Sequence, residues 1–181
     1  MTPSPTTPTN LSSRTEMEKR SFALLEELNI SYIYVDHEPA LTMEDCAEID
    51  KVLGVKMCKN LVLCNRQRTD YYLLLMPGDK VFKTKELSSQ INSARLSFAS
   101  GEAMEELLGV LPGSASVLGL LKDTEGKVQL LIDKALLGEE YFGCHPCKNT
   151  SSIRFTMEDL LKRVLPQLKH EYIAVELKGE E

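Results

Sequence analysis

KNLVLCNRQRTDYYLLLMP, Lys59 to Pro77, decides the fold. Two short apolar runs, NLVLC and YYLLLM, flank the polar, turn-like RQRTD. Runs of roughly four to eight apolar residues bounded by turn formers fit buried strands. Residues 59–65 and 71–77 therefore read as a strand pair at the heart of a sheet.

Upstream, Arg14 to Asn29 sets Met17, Leu24, Leu25 and Leu28 at helical spacing, and SYIYVD (31–36) is a short β-branched and aromatic strand. Thr42-Met-Glu-Asp45 resembles a capping box and Gly54 a stop, which predicts a helix over 43–53. Downstream, a helix is expected from Thr84 through Ile91, then the strand RLSF (95–98). Ser100 caps a helix over 102–108 that Gly109 ends. LPGSASVLGLL (111–121) reads as a Gly-Ser turn leading into an apolar strand, and VQLLID, SSIRF and EYIAVEL as further strands. Thr156 caps a helix that Pro166 should end.

Strands and helices interleave, but without the regular alternation of a doubly wound sheet. The expected class is α+β, with a mixed, largely antiparallel central sheet surrounded by helices. A chain of 181 residues accommodates one such domain, expected over 15–178. The Pro/Thr-rich opening MTPSPTTPTN marks residues 1–14 as an expected disordered tail.

Hydrophobic residues make up 43% and charged residues 27%, a globular balance. No apolar run approaches the roughly 20 residues that span a bilayer, so no membrane association is expected. The first residues lack the basic start and apolar stretch of a secretory signal. The five cysteines, an odd number, argue against a disulfide framework and for reduced thiols in a cytoplasm. The net charge of −6 is unevenly spread: Lys51 to Arg95 holds nine basic against three acidic residues, leaving +6 there and −12 elsewhere. Such asymmetry steers a polyanion to one face, with Lys80 and Lys83 as candidate phosphate contacts; an ordinary solvated surface is the plainer reading.

Three short motifs carry candidate chemistry. Cys144-His-Pro-Cys147 is one C-x-x-C pair, whereas a structural zinc site needs four ligands. A redox C-x-x-C should feed a helix, and this one precedes a strand. What survives is a loop shaped by Gly143, His145 and Pro146. Gly113-Ser114-Ala115 presents small side chains, so its backbone N–H groups are open to a carbonyl oxygen, or it is simply a tight turn. Lys59 opens an apolar strand, either pointing to solvent or standing as a fixed cation at the sheet's mouth.

HEPALTMEDC (37–46), CKNLVLCNRQRTDYYLLLMPGDK (58–80), LSFASGEAMEELLGVLPGSASVLGL (96–120) and VQLLIDKALLGEEYFGCHPCKNTSSIRF (128–155) follow one another in a recognisable order. Together they resemble the YbaK/prolyl-tRNA-editing superfamily, closest to its freestanding prolyl-tRNA deacylases, over about residues 20 to 177. The resemblance places the family's strand-opening lysine at Lys59, with Asn60 beside it. It places the glycine loop at Gly113, Ser114 and Ala115, and the G-x-H-P loop at Gly143, His145 and Pro146. Cys144 and Cys147 are incidental to that motif. One departure is Ser116-Val117, where many relatives carry a proline.

The resemblance implies hydrolysis of the ester in mischarged tRNAPro, with alanine as the acyl group, and needs no cofactor or metal. Lys59, Gly113 and Ser114 would be catalytic, and Asn60, Ala115, Gly143, His145 and Pro146 would bind substrate. The implied partners are the acceptor stem and terminal adenosine of tRNAPro, with transient association with prolyl-tRNA synthetase. A catalytically silent tRNA- or aminoacyl-binding module of the same fold is the alternative.

Overall fold

The computed structural model describes residues 1–179. The strand pair expected over 59–65 and 71–77 forms: β2 (Lys59–Cys64) runs antiparallel to β3 (Tyr71–Met76), with Lys59 opposite Met76 and Cys64 opposite Tyr71. Beside them lie β4 (Ser97–Phe98), β5 (Val128–Asp133) and β8 (Tyr172–Val175), in the order β4-β2-β3-β5-β8. A second, three-stranded sheet sets β7 (Ser151–Thr156) between β1 (Ile33–Asp36) and β6 (Tyr141–Cys144). The strands thus divide between two sheets rather than one. The mixed, largely antiparallel character holds, because only β3–β5 and β5–β8 pair in parallel.

Leu73 to Met76 and Leu130 to Ile132 are all fully buried. They read as unbroken apolar runs because both faces of the larger sheet are covered. Leu73, Leu75, Leu130 and Ile132 face the main core, which α1 (Glu16–Glu27) enters through Phe22 and Leu25. Leu63, Leu74, Met76 and Leu131 face a smaller cluster closed by Leu87 of α3 (Thr84–Ser88). Among the described residues no helix is long and apolar enough to cross a membrane.

The caps follow the sequence. Thr15 and Thr42 each form a capping box, at the starts of α1 and α2 (Met43–Leu53). Ser100 caps α4 (Gly101–Leu108), and Gly54 and Gly109 end α2 and α4 at φ +69° and +65°, where a Cβ is disfavoured. The first residues run beside β1, where Ser4 exchanges two backbone hydrogen bonds with Tyr34.

Two expectations are corrected. Val117–Leu121 is a 3₁₀ helix, not a strand. Ser116 caps it by accepting from the Leu118 N–H, and Gly119 packs where a Cβ would stand 2.9 Å from the Leu108 carbonyl oxygen. A consecutive apolar run has no period to separate helix from strand, and this one buries its first four residues together. Pro166 does not end its helix either. Between α6 (Met157–Asp159) and α7 (Leu165–Gln167) the chain widens into a π turn, Leu160–Val164, in which the Leu165 N–H reaches back to Leu160. The proline then stands near the start of the last turn, where its missing N–H is tolerated. A short helix, α5 (Lys134–Leu137), and β6 are further elements that the sequence pattern did not announce.

Candidate active site

The beginning of β2, the loop after α4 and the loop after β6 converge on a pocket of about 190 Å³. Its lining is Cys58, Asn60, Met104, Gly113, Ala115 and His145. Gly113 stands at φ +87°, in the left-handed region that favours glycine. Among the described residues, neither the Gly113 nor the Ala115 N–H donates to a protein group, whereas the Ser114 N–H is spent on the Leu111 carbonyl. Two hydrogen bonds tie this loop to the one that carries His145. The Asn149 N–H donates to Ser114 Oγ at 3.1 Å, and Ser116 Oγ donates to the His145 carbonyl oxygen at 2.6 Å. Ser114 thus holds the two loops together, and its hydroxyl is not part of the pocket wall.

The imidazole of His145 has a defined tautomer. Its Nδ1 lies 2.7 Å from the Ser151 carbonyl oxygen, which only accepts, so Nδ1 carries the hydrogen and Nε2 a lone pair. Burial pulls the His145 pKa below the ordinary imidazole value, and His37 nearby adds to this. The ring is therefore neutral near neutral pH. The Ser151 position is itself fixed: its hydroxyl hydrogen-bonds to Asp36 and receives Arg14 Nη1 at 2.9 Å. Arg14 clamps Asp36 with two 2.7 Å contacts and pairs with Glu18 at 2.8 Å. Burial raises the Asp36 pKa, but the hydrogen bonds from Arg14 and Ser151 outweigh it and hold the carboxyl below its usual range.

Alternation along β2 separates its first two residues. Asn60 lines the pocket on the side of Val62 and the main core. Lys59 falls on the other face with Leu61 and Leu63, and its ammonium donates to the Lys80 carbonyl oxygen rather than lining the pocket. Asn60 Nδ2 donates to the Cys58 carbonyl at 3.3 Å, but its Oδ1 is enclosed with no hydrogen-bond partner. Such an orphaned acceptor costs about 1–3 kcal/mol until something donates to it.

Gly143 and Pro146 are buried and do not line this pocket. Gly143 lies within β6, opposite Arg154, and a Cβ there would come 2.8 Å from Met57 Sδ. The Cys58 thiol points at the Gly143 carbonyl at 3.7 Å. Burial pushes the thiols of Cys58 and Cys147 up to about 12 and 11, and raises that of Cys144 as well. None of the three supplies a thiolate at neutral pH. No three His, Cys, Asp or Glu side chains gather as metal ligands among the described residues.

The basic segment needs one correction. Lys80 is not a free surface cation: its ammonium bonds the buried carboxylate of Asp133 at 2.8 Å and the Leu177 carbonyl at 2.7 Å. Lys83, Lys85 and Arg95 are exposed and enter no ion pair among the described residues. Sequence reasoning missed Met104, which sits at ordinary core spacing in α4, and the Arg14–Asp36–Ser151 support. Nothing local joins residues so far apart in the chain.

The model of the aminoacyl-tRNA editing domain matches residues 37–163, a span that contains all the pocket-lining residues. The chain belongs to the aminoacyl-tRNA editing domain family. Its chemistry is that of an aminoacyl-tRNA deacylase. Among its relatives, the prolyl-tRNA editing protein ProX of Acetoanaerobium sticklandii is 33% identical over 142 residues, 78% of this chain and 87% of that one. The prolyl-tRNA synthetase associated domain-containing protein 1 of Mus musculus is 31% identical over 152 residues, covering 82% of this chain and 87% of that one. A solved structure described as a candidate trans-editing enzyme for prolyl tRNA synthetase shares the fold. Its TM-score is 0.66 at 17% identity, over 91% of this chain and 99% of that one.

Proposed function

We propose that this editing domain acts in trans on mischarged tRNAPro, hydrolysing the ester that joins alanine to the terminal adenosine. The pocket of about 190 Å³ carries the reading. It holds a small acyl group beside a water of roughly 30 Å³. A synthetase pocket built for proline discriminates against smaller alanine by only ~1–3 kcal/mol per missing methylene, so a second, smaller sieve supplies the accuracy.

In the proposed reaction a water attacks the ester carbonyl carbon, and the carbonyl oxygen gathers negative charge as the tetrahedral intermediate forms. The unused N–H groups of Gly113 and Ala115 receive that charge, at no reorganisation cost because the loop is already tied down by Ser114 and Ser116. The neutral His145 lines the acyl pocket and offers Nε2 as an acceptor that orients the water or the α-amino group. Asn60 lines the pocket wall, and a turn of its amide brings the enclosed Oδ1 to a donor on the substrate. Lys59, released from the Lys80 carbonyl, holds the terminal ribose or phosphate from the other side of β2. The C–O bond to the ribose then breaks, and its oxygen takes the proton that the attacking water gives up, relayed by the neighbouring 2′-hydroxyl. The products are free alanine and tRNAPro.

The family relationship and the sequence similarity to ProX support tRNAPro as the carrier. Transient association with prolyl-tRNA synthetase would supply that substrate as it is released. The test is deacylation of tRNAPro carrying alanine, proline, cysteine or serine by the purified protein. Alanine should be released fastest. Release of proline at an equal rate would refute the size argument, and release of cysteine or serine ahead of alanine would reassign the acyl group.

A further inference from the structure

Phe98 is 62% exposed at the outer edge of the larger sheet. A large aromatic ring left to water on an edge strand has no packing explanation. It is held in a defined pose, because Phe82 meets it edge-on at 6.0 Å with an interplanar angle of 64°. Phe82 is itself anchored against the smaller core cluster with Leu61. The pair is a supported aromatic surface with one ring largely free.

It stands on the face of the larger sheet turned away from the pocket, and the chain beyond it leads round the sheet edge to the pocket. Phe98 stands directly opposite Leu63, and residues paired across a strand project to the same face. Lys59 shares that face four residues along β2, about 13 Å away. On the other side, the chain runs from Phe98 through Ala99 and Ser100 into Gly101, where a Cβ would lie 3.2 Å from Pro112, the residue before Gly113. The aromatic pair and the oxyanion loop are therefore joined by one close contact. Exposed cations lie close to the pair in the chain: Lys83 follows Phe82, and Arg95 stands three residues before Phe98.

We infer that Phe98, backed by Phe82, is a stacking platform for an unpaired nucleobase of the substrate's single-stranded 3′ end. This rests on the reading of the protein as a tRNA deacylase and adds to it the surface that grips the RNA end. Aromatic rings flanked by positive charge are how single strands are held without sequence readout, and each stacked base is worth about tenfold or more in affinity. The phosphates beside that base would meet Lys59, Lys83 and Arg95.

The experiment uses an acceptor-stem RNA minihelix with 2-aminopurine as its terminal base, and a blunt-ended minihelix without the single-stranded end. With the wild type, the 2-aminopurine fluorescence should be quenched on binding. Phe98→Ala should weaken binding about tenfold and abolish the quenching, whereas Phe98→Trp should preserve both. The blunt minihelix should bind wild type and Phe98→Ala equally. Equal affinity and quenching of the overhang RNA by wild type and Phe98→Ala would overturn the platform, even with alanyl-tRNAPro hydrolysis intact. Failure of the wild type to bind either RNA, with no hydrolysis, would overturn the deacylase reading and the platform with it. A dimer that dissociates in Phe98→Ala, with RNA binding unaffected, would reassign the ring to self-association and overturn the platform.

Discussion

His145, a residue of the pocket wall, gives its Nδ1 hydrogen to the Ser151 carbonyl oxygen at 2.7 Å, which leaves Nε2 as a lone-pair acceptor. Protonation would turn that acceptor into a donor. Burial lowers the His145 pKa from the ordinary 6.5, so the neutral ring persists below that pH. Deacylation should hold steady from pH 8 to about 6.5 and fall only as pH drops through the lowered His145 value. The sign for stability is the same: the unfolded chain takes up the proton first, so stability from this group is lost as pH falls. A pH–rate profile that falls with a midpoint above 6.5 would contradict the assignment.

Lys59 holds the Lys80 carbonyl from the opposite face of β2 to the pocket. In the proposed reaction it lets go to hold the terminal ribose or phosphate. Lys59→Ala should lower alanyl-tRNAPro hydrolysis by ~10²-fold, comparable to losing one preorganised electrostatic contact. Thermal melting should shift little, because the ammonium gives up one hydrogen bond, to the Lys80 carbonyl. Undiminished turnover would remove Lys59 from the site.

The two kinds of lysine in the basic segment should behave differently. Lys80→Glu sets a carboxylate beside that of the buried Asp133 and should destabilise the fold by about 3–5 kcal/mol, read as a lowered Tm. Lys83→Glu with Lys85→Glu should leave Tm unchanged, weaken tRNA affinity and flatten its salt dependence. Full tRNA affinity in the latter pair would place the RNA elsewhere.

The cysteines of the Cys144-His-Pro-Cys147 run serve packing. Cys147→Ser should keep most activity. Cys144→Ser, at a fully buried position, should lower Tm while leaving turnover per folded molecule close to normal. Loss of the chemical step in either variant would reopen a role for sulfur.

How far the sequence could be read follows from the range of each signal. Capping boxes at Thr15 and Thr42, and the glycine stops at 54 and 109, act within one helical turn, so those boundaries were legible. The β2–β3 pair was legible because its connection is short. The 3₁₀ helix at Val117–Leu121 was not, since its form depends on Leu108 meeting Gly119. Pro166 inside a helix depends on a π turn that no propensity announces. Family motifs supplied Asn60, Gly113, Ala115 and His145 as pocket residues, but not the turn of the Ser114 hydroxyl toward Asn149 or the opposite facing of Lys59. Arg14 and Asp36 meet only through the packing of α1 against the smaller sheet, which local sequence cannot express.

The most direct test exploits Asn60, whose Oδ1 is enclosed and unpaired in the free protein. If this oxygen waits for a donor on the substrate, it burdens the fold and serves the reaction. Asn60→Ala removes the orphaned acceptor, so Tm should stay level or rise, while single-turnover hydrolysis of alanyl-tRNAPro should fall by at least ~10-fold. Hydrolysis at the wild-type rate in Asn60→Ala, at unchanged or raised Tm, would contradict catalysis in this pocket.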